Sequence, residues 1–187
     1  MMTIATMPSP QEVASYQEQS WADPVGWINH ALGVELWGKQ AEIADAVRDY
    51  PQVAVRSANA VGKSFLAACL TAWFLQSRAP GYVVTTSSSW RGIEKVLWPE
   101  IRKVVRNAPY LIGGTLLNTE WKLGDQWGAF GVSADIPENF AGFRTEHGIF
   151  VIIDEASAME SEIFESIMGL TATEGSRVLM IGNPLRP

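Results

Sequence analysis

The chain has 187 residues, 47% apolar and 18% charged, with eight Trp; this supports one substantial core, excludes a largely disordered chain and favours one domain over two. A net charge of -6 and a pI near 4.9 exclude a protein that coats DNA by bulk electrostatics, so contact with DNA would need a local patch. The apolar runs at 65–75 and 149–153 are too short or too interrupted to span a bilayer, residues 1–10 lack the pattern of a secretory signal, and the lone Cys69 has no disulfide partner, so a reducing cytoplasm is expected.

In chain order, residues 1–20 are polar, hold Pro8 and Pro10, and read as a flexible N-terminal arm; order is expected from Trp21, giving a single folded domain over 21–187. Asp23 and Pro24 resemble a helix start, with Gly33 ending the element. Residues 36–50 place Ile43, Ala46 and Val47 on one side of a second helix. Val53, Ala54 and Val55 form a short strand candidate, followed by a helix over 63–76 with Cys69 as a buried, inert thiol. A second strand spans 82–86, and Ser89 is placed to cap a helix running toward Arg106. On an unbroken helix Arg91, Lys95, Arg102 and Arg106 fall within about 60° and make a basic stripe. The other reading is a solvated face with Glu94 and Glu100, kinked at Pro99.

Residues 120–123 and 129–132 suit a hairpin turned at Gly124 and Asp125. The continuous apolar run 149–153 reads as a strand covered on both faces. Ser157 and Glu160 form a capping-box pattern for a helix through Met168 stopped by Gly169, and 177–181 is the last strand. Alternating strands and helices of this kind predict an α/β fold, a mostly parallel sheet with helices on both faces.

The segment Ser57, Ala58, Asn59, Ala60, Val61, Gly62, Lys63, Ser64 sits between a strand and a helix, as a phosphate-binding loop must. Ser57 replaces the first Gly of the G-x-x-x-x-G-K-[ST] pattern, so the loop must enter with backbone angles a Ser tolerates. Gly62 allows close approach, Lys63 neutralises the β and γ phosphate oxygens of ATP, and Ser64 offers a hydroxyl to Mg²⁺. Further on, the apolar strand at 149–153 ends in Asp154 and Glu155, a Walker B pattern. There Asp154 would hold Mg²⁺ through a water, and Glu155 would orient and deprotonate the attacking water. A solvated acid pair or a helix cap is the bland alternative. The run Met180, Ile181, Gly182, Asn183, Pro184 ends a strand in an amide that either meets the γ-phosphate or makes an ordinary turn. In P-loop ATPases with a catalytic Glu, a strand separates the loop strand from the Walker B strand, and Asn183 is the expected polar tip of that strand.

With these motifs in place, residues from Trp21 onward resemble the ATPase domain of tailed-phage large terminases, a P-loop NTPase of the RecA-like type with a catalytic Glu. Leu36, Trp37, Gly38, Lys39 and Gln40 are similar to that family's adenine-recognising motif, which implies that Gln40 reads the base and Trp37 packs on it. The segment 85–96 resembles the family's stretch after the second strand, with Gly92 where a Gln is common. The resemblance further implies a trans arginine finger at Arg144, which as a sequence feature is equally readable as a surface Arg paired with Glu146. Arg56 is the second candidate, because Ala58 to Val61 hold no basic residue.

The implied function is ATP hydrolysis that drives double-stranded DNA into a procapsid, with portal protein and terminase small subunit as partners. It implies a homo-oligomeric ring on the capsid, a monomer when alone, no membrane, and the host cytoplasm as the location. The family's C-terminal nuclease domain is expected to be absent. The alternatives are a helicase-like DNA-dependent ATPase core and a nucleotide-gated assembly module with little turnover.

Overall fold

The computed structural model describes residues 8–58, 61–110, 113–134, 137–140, 142–143, 145 and 147–183. Three helices come first, α1 (Pro10–Ala22), α2 (Pro24–Leu32) and α3 (Gly38–Asp49), and then β1 (Gln52–Arg56), α4 (Lys63–Ser77) and β2 (Tyr82–Ser87) alternate. A long helix follows in three parts: α5 (Trp90–Gly92), a π-helical stretch (Ile93–Leu97) and α6 (Trp98–Asn107). The rest holds β3 (Thr115–Leu116), β4 (Glu120–Gly124), β5 (Trp127–Gly131), β6 (Ile149–Asp154), α7 (Ser161–Leu170) and β7 (Arg177–Gly182).

The strands form one seven-stranded sheet in the order β1-β7-β6-β2-β5-β4-β3. Neighbours from β1 to β5 run parallel, while β4 is antiparallel to both β5 and β3. The fold is therefore α/β with a mostly parallel sheet, as the alternation predicts. The last strand in the chain, β7, inserts between the strand before the phosphate loop and the strand ending in Asp154.

The two faces are covered unequally. On one face α2, α3, α4 and α6 enclose the larger core, where Trp73, Phe74, Trp98 and Trp121 are fully buried. The other face packs Val84, Val151, Ile153 and Val178 against Ile163 and Ile167 of α7 and against Phe140. Removing a Leu, Ile or Phe side chain of this kind from water contributes about 1.5–3 kcal/mol. Helix α4 is buried almost all round because the sheet lies on one side and other helices on the rest. The Cys69 thiol within it is pushed up to about 12 by burial, with Glu100 adding to the effect, so it is chemically inert. Trp27, Trp73, Trp98 and Trp121 are core residues, as their apolar neighbours suggest.

Three expectations change. The segment read as an arm is helical from Pro10, started by a reciprocal capping box between Ser9 and Glu12. Helix α1 is tied into the domain: Trp73 Nε1 donates to the Ser20 carbonyl at 2.7 Å, and Gln17 Nε2 donates to the Ala79 carbonyl at 2.8 Å.

Ser157 does not cap α7. It lies in a short 3-10 turn (Ala156–Ala158), the N-cap is Glu160, and Gly169 sits inside the helix. The turn's own hydrogen bonds, Ala158 N to Glu155 O and Met159 N to Ala156 O, occupy the backbone before α7 can begin.

The basic stripe is also divided. Ser89 caps the helix, its hydroxyl accepting from Gly92 N at 3.2 Å, but the helix widens before Pro99, where Trp98 N donates five residues back to Ile93 O. Lys95, in the widened stretch, lines the cleft that also holds Lys63, while Arg102 donates to Asn118 O.

Candidate nucleotide-binding site

All five parallel strands point their C-terminal ends the same way, and the loops that follow β1, β6 and β7 meet there. At that end an open cleft of about 570 Å³ is lined by Gly62, Lys63, Ser64, Asp154, Glu155 and Asn183, among others. The residues singled out in three separate motifs thus share one cleft.

The loop side is built from backbone. Ser57 N donates to Gly182 O at 3.2 Å, continuing the β1–β7 ladder by one residue. Gln126 and Glu155 are the non-glycine residues with positive φ among those described, so Ser57 enters the loop with ordinary angles and needs no Gly there. Gly62 does need its freedom: it is left-handed at φ 80 and forms the N-cap of α4. A Cβ there would stand 2.7 Å from Gln40 Nε2. The Lys63 ammonium donates to Ala58 O and to Asn183 Oδ1, each at 2.7 Å, which ties the loop to the tip of β7. Asn59 and Ala60 lie outside the described residues.

The acid side is built from burial and backbone strain. Asp154 ends β6 and is only 8% exposed. Burial pushes its carboxyl above the ordinary value, and the Glu155 charge adds to that, whereas the Glu155 N–H and the Lys63 charge oppose it. Glu155 is left-handed at φ 55, ψ 37, an arrangement that costs a non-glycine residue about 1–2 kcal/mol. Its carboxylate accepts from Ser88 Oγ at 2.8 Å. The Thr86 and Ser87 hydroxyls at the tip of β2 are buried with no hydrogen-bond partner, next to Ile153 and Asp154 in register. Ser88 belongs to none of the sequence motifs. The signal was a hydroxyl run, Thr85 to Ser89, at the end of a strand.

Beside the loop a second, mostly apolar groove of about 460 Å³ is lined by Trp37, Gln40, Ile43, Val55 and Val61. Gln40 is buried and its Nε2 donates to Gly62 O at 3.2 Å, whereas Trp37 is 52% exposed. The groove borders Lys63, so a ring seated in it would be continuous with phosphates in the cleft. Arg56 is exposed at the end of β1 and lines this groove as well as the shallow face beside Asn183. Arg144 lies outside the described residues.

No protein-family model and no curated protein sequence matches the chain. Among solved structures, the large terminase of bacteriophage HK97 superposes with a TM-score of 0.67 at 18% identity, over 87% of this chain. The large terminase of a thermophilic bacteriophage, solved in complex with ADP, gives 0.56 at 11% identity over 89%. The large terminase ATPase domain of Thermus phage P74-26 gives 0.52 at 17% identity over 82% of this chain and 67% of that one. The chain has the fold of a phage large terminase ATPase domain. It spans 37% of the HK97 chain and 38% of the ADP-bound one, so the terminase fold here corresponds to one part of those proteins. The strand order of this terminase-like sheet, with β7 between β1 and β6, is what sets Asn183 beside Lys63.

Proposed function

We propose that this chain is an ATP-hydrolysing motor domain of a phage large terminase, using ATP to move double-stranded DNA into a procapsid. The observation that carries the reading is the convergence of Lys63, Ser64, Asp154, Glu155 and Asn183 on one cleft, beside an apolar groove that ends at Gln40. In the proposed assignment Gln40 and Trp37 take the adenine. The loop from Ser57 through Val61 and Gly62 wraps the phosphates with backbone N–H groups. Lys63 exchanges its two present acceptors for phosphate oxygens.

The donors present suit Mg²⁺. Ser64 and Asp154 share the cleft, and an ion held by them would take its other ligands from phosphate and water. When bound, the ion neutralises phosphate charge. Glu155 accepts a proton as a water oxygen bonds to the γ-phosphorus and the bond to the β,γ-bridging oxygen breaks, with ADP leaving. Ser88 fixes the orientation of that carboxylate, and Asn183 hydrogen-bonds the γ-phosphate or the water.

Arg144, with Arg56 as the alternative, is assigned as the cation supplied to a neighbouring subunit, which makes hydrolysis depend on a ring assembled at the portal in the host cytoplasm. The portal protein, the terminase small subunit and duplex DNA are the proposed partners. Phosphate release measured with and without DNA and portal tests the reading. A rate stimulated by both and abolished in Glu155→Gln, with ATP binding retained, is expected. Absence of ATP binding by calorimetry ends the proposal, and binding with turnover unchanged in Glu155→Gln replaces it with a nucleotide-gated module. Arg144→Ala should bind ATP normally and lose only the assembly-stimulated rate; full activity in that variant removes Arg144 from the mechanism.

A further inference from the structure

At the opposite end of the sheet from the cleft, a cavity of about 700 Å³ opens between α1, the turn after α4 and the segments entering β6 and β7. Its wall holds Arg78, Trp21 and Arg177. The Arg78 guanidinium lies 3.8 Å from the centre of the Trp21 ring and that of Arg177 4.9 Å, while Trp73 stacks on the same indole at 4.7 Å.

The two arginines are held differently. Arg177 spends three of its five N–H groups on the carbonyls of Val47, Arg48 and Ser176, at 2.8, 2.8 and 2.9 Å. Arg78 has its contact with Trp21, but its buried Nε has no hydrogen-bond partner. Among the described residues no carboxylate forms an ion pair with it; Glu18 and Glu174 line the cavity without reaching either guanidinium.

Both arginines are half-buried. Burial lowers the pKa of each; Arg78 lowers that of Arg177 further, and the Asp49 charge opposes it there. A desolvated charge without a counter-charge, as at Arg78, is costly, and a second guanidinium beside it adds to the cost. Stacking on Trp21 accounts for about 0.5–2 kcal/mol of Arg78. It does not account for a guanidinium whose Nε is unpartnered, on the wall of a cavity, in an acidic protein.

We infer that this cavity binds an oxyanion of the phosphate class, with Arg78 as its main ligand and the remaining N–H groups of Arg177 as a second. A planar guanidinium fixed on an aromatic ring offers paired donors at the spacing of phosphate oxygens. Trp73 and Arg78 both pack on Trp21, so the site takes a phosphoryl group rather than a stacked base. Glu18 and Glu174 repel an extended polyanion, which favours a free or terminal phosphate over a duplex backbone. The site is independent of the ATPase reading, since none of its residues lines the nucleotide cleft.

Pyrophosphate is the probe, titrated calorimetrically at constant ionic strength into the Lys63→Ala protein, whose loop has lost its own cation. A saturable one-to-one heat is expected. It should weaken at least tenfold in Lys63→Ala with Arg78→Gln, and less in Lys63→Ala with Arg78→Lys. Ala14→Glu, which adds a charge to the wall from the exposed side of α1, should also weaken it without touching the core. Pyrophosphate should raise the melting temperature of Lys63→Ala more than of the Ala14→Glu double variant. No saturable heat, or an affinity that neither Arg78→Gln nor Ala14→Glu changes, overturns the site. A short DNA duplex that displaces pyrophosphate assigns the phosphate to a DNA backbone; failure to displace it assigns a free or nucleotide phosphate.

Discussion

The two walls of the cleft hold their charged groups by different means. On the loop wall Lys63 is satisfied by Ala58 O and Asn183 Oδ1, Gln40 by Gly62 O, and the one left-handed position described there is a Gly. On the acid wall Asp154 is buried at an electrostatic cost, Glu155 occupies a left-handed backbone position, and two neighbouring hydroxyls have no partner. The lesson is one of timing. In the proposed function the loop wall binds, its internal bonds being exchanged for phosphate at little cost. In the same proposal the acid wall reacts, because desolvated and strained groups gain most when an ion and a water reach them.

The largest expected effect falls on the reacting wall. Glu155→Gln should lower turnover by about 10³-fold while leaving the Kd for ATP within a few-fold, measured by phosphate release and equilibrium binding. A matching loss of binding would erase the distinction between the walls. Lys63→Ala should do the reverse, weakening ATP binding by about 100-fold, the loss of a charge-assisted hydrogen bond at a desolvated site. If binding survives and only turnover falls, Lys63 belongs with the acids.

Smaller effects sharpen the contrast. Ser88→Ala should lower kcat by roughly fivefold, about one hydrogen bond, with KM unchanged and with Ser88→Thr restoring the rate. An equal rise in KM would make Ser88 a binding residue instead.

The smallest effect concerns stability alone. Folding raises the Asp154 pKa above the unfolded value, so its ionised form destabilises the nucleotide-free protein at pH above the raised pKa. Asp154→Asn should therefore be more stable than the parent near neutral pH. That advantage should shrink as pH falls through the raised pKa toward 3.8, where the parent carboxyl is protonated as well. Urea melts across that range check the sign, and a gain that grows on acidification contradicts the burial argument.

Much of the site was legible because its signals are local. A Gly-Lys-Ser triplet at a strand-to-helix turn, and an acid pair closing an apolar strand, each follow from the backbone that must surround them. The expectation that Ser57 tolerates the loop entry holds because that residue stays in the β1–β7 ladder. The capping box at Ser9 and Glu12 is equally local, although Pro8 and Pro10 suggest an arm, and what fixes α1 is its contact with α4 and with Ala79 just beyond it. The Ser157 and Glu160 pattern misled for the opposite reason: the motif was present, and the 3-10 turn after Glu155 took its backbone. Ser88 could not be chosen from a row of hydroxyls, since the one that meets Glu155 depends on how β2 and β6 align.

By itself the sequence determined every strand except the two-residue β3, the strand-to-helix turn at Gly62 and Lys63, and which residues bear charge, because periodicity, glycine and acid placement act within a few residues. The expected place of β7, between β1 and β6, holds; only the tertiary structure decided that Asn183 reaches Lys63, that Ser88 meets Glu155, and that Arg78 and Arg177 share one indole. Those arrangements depend on burying two faces of one sheet at once, a constraint set by residues far apart in the chain.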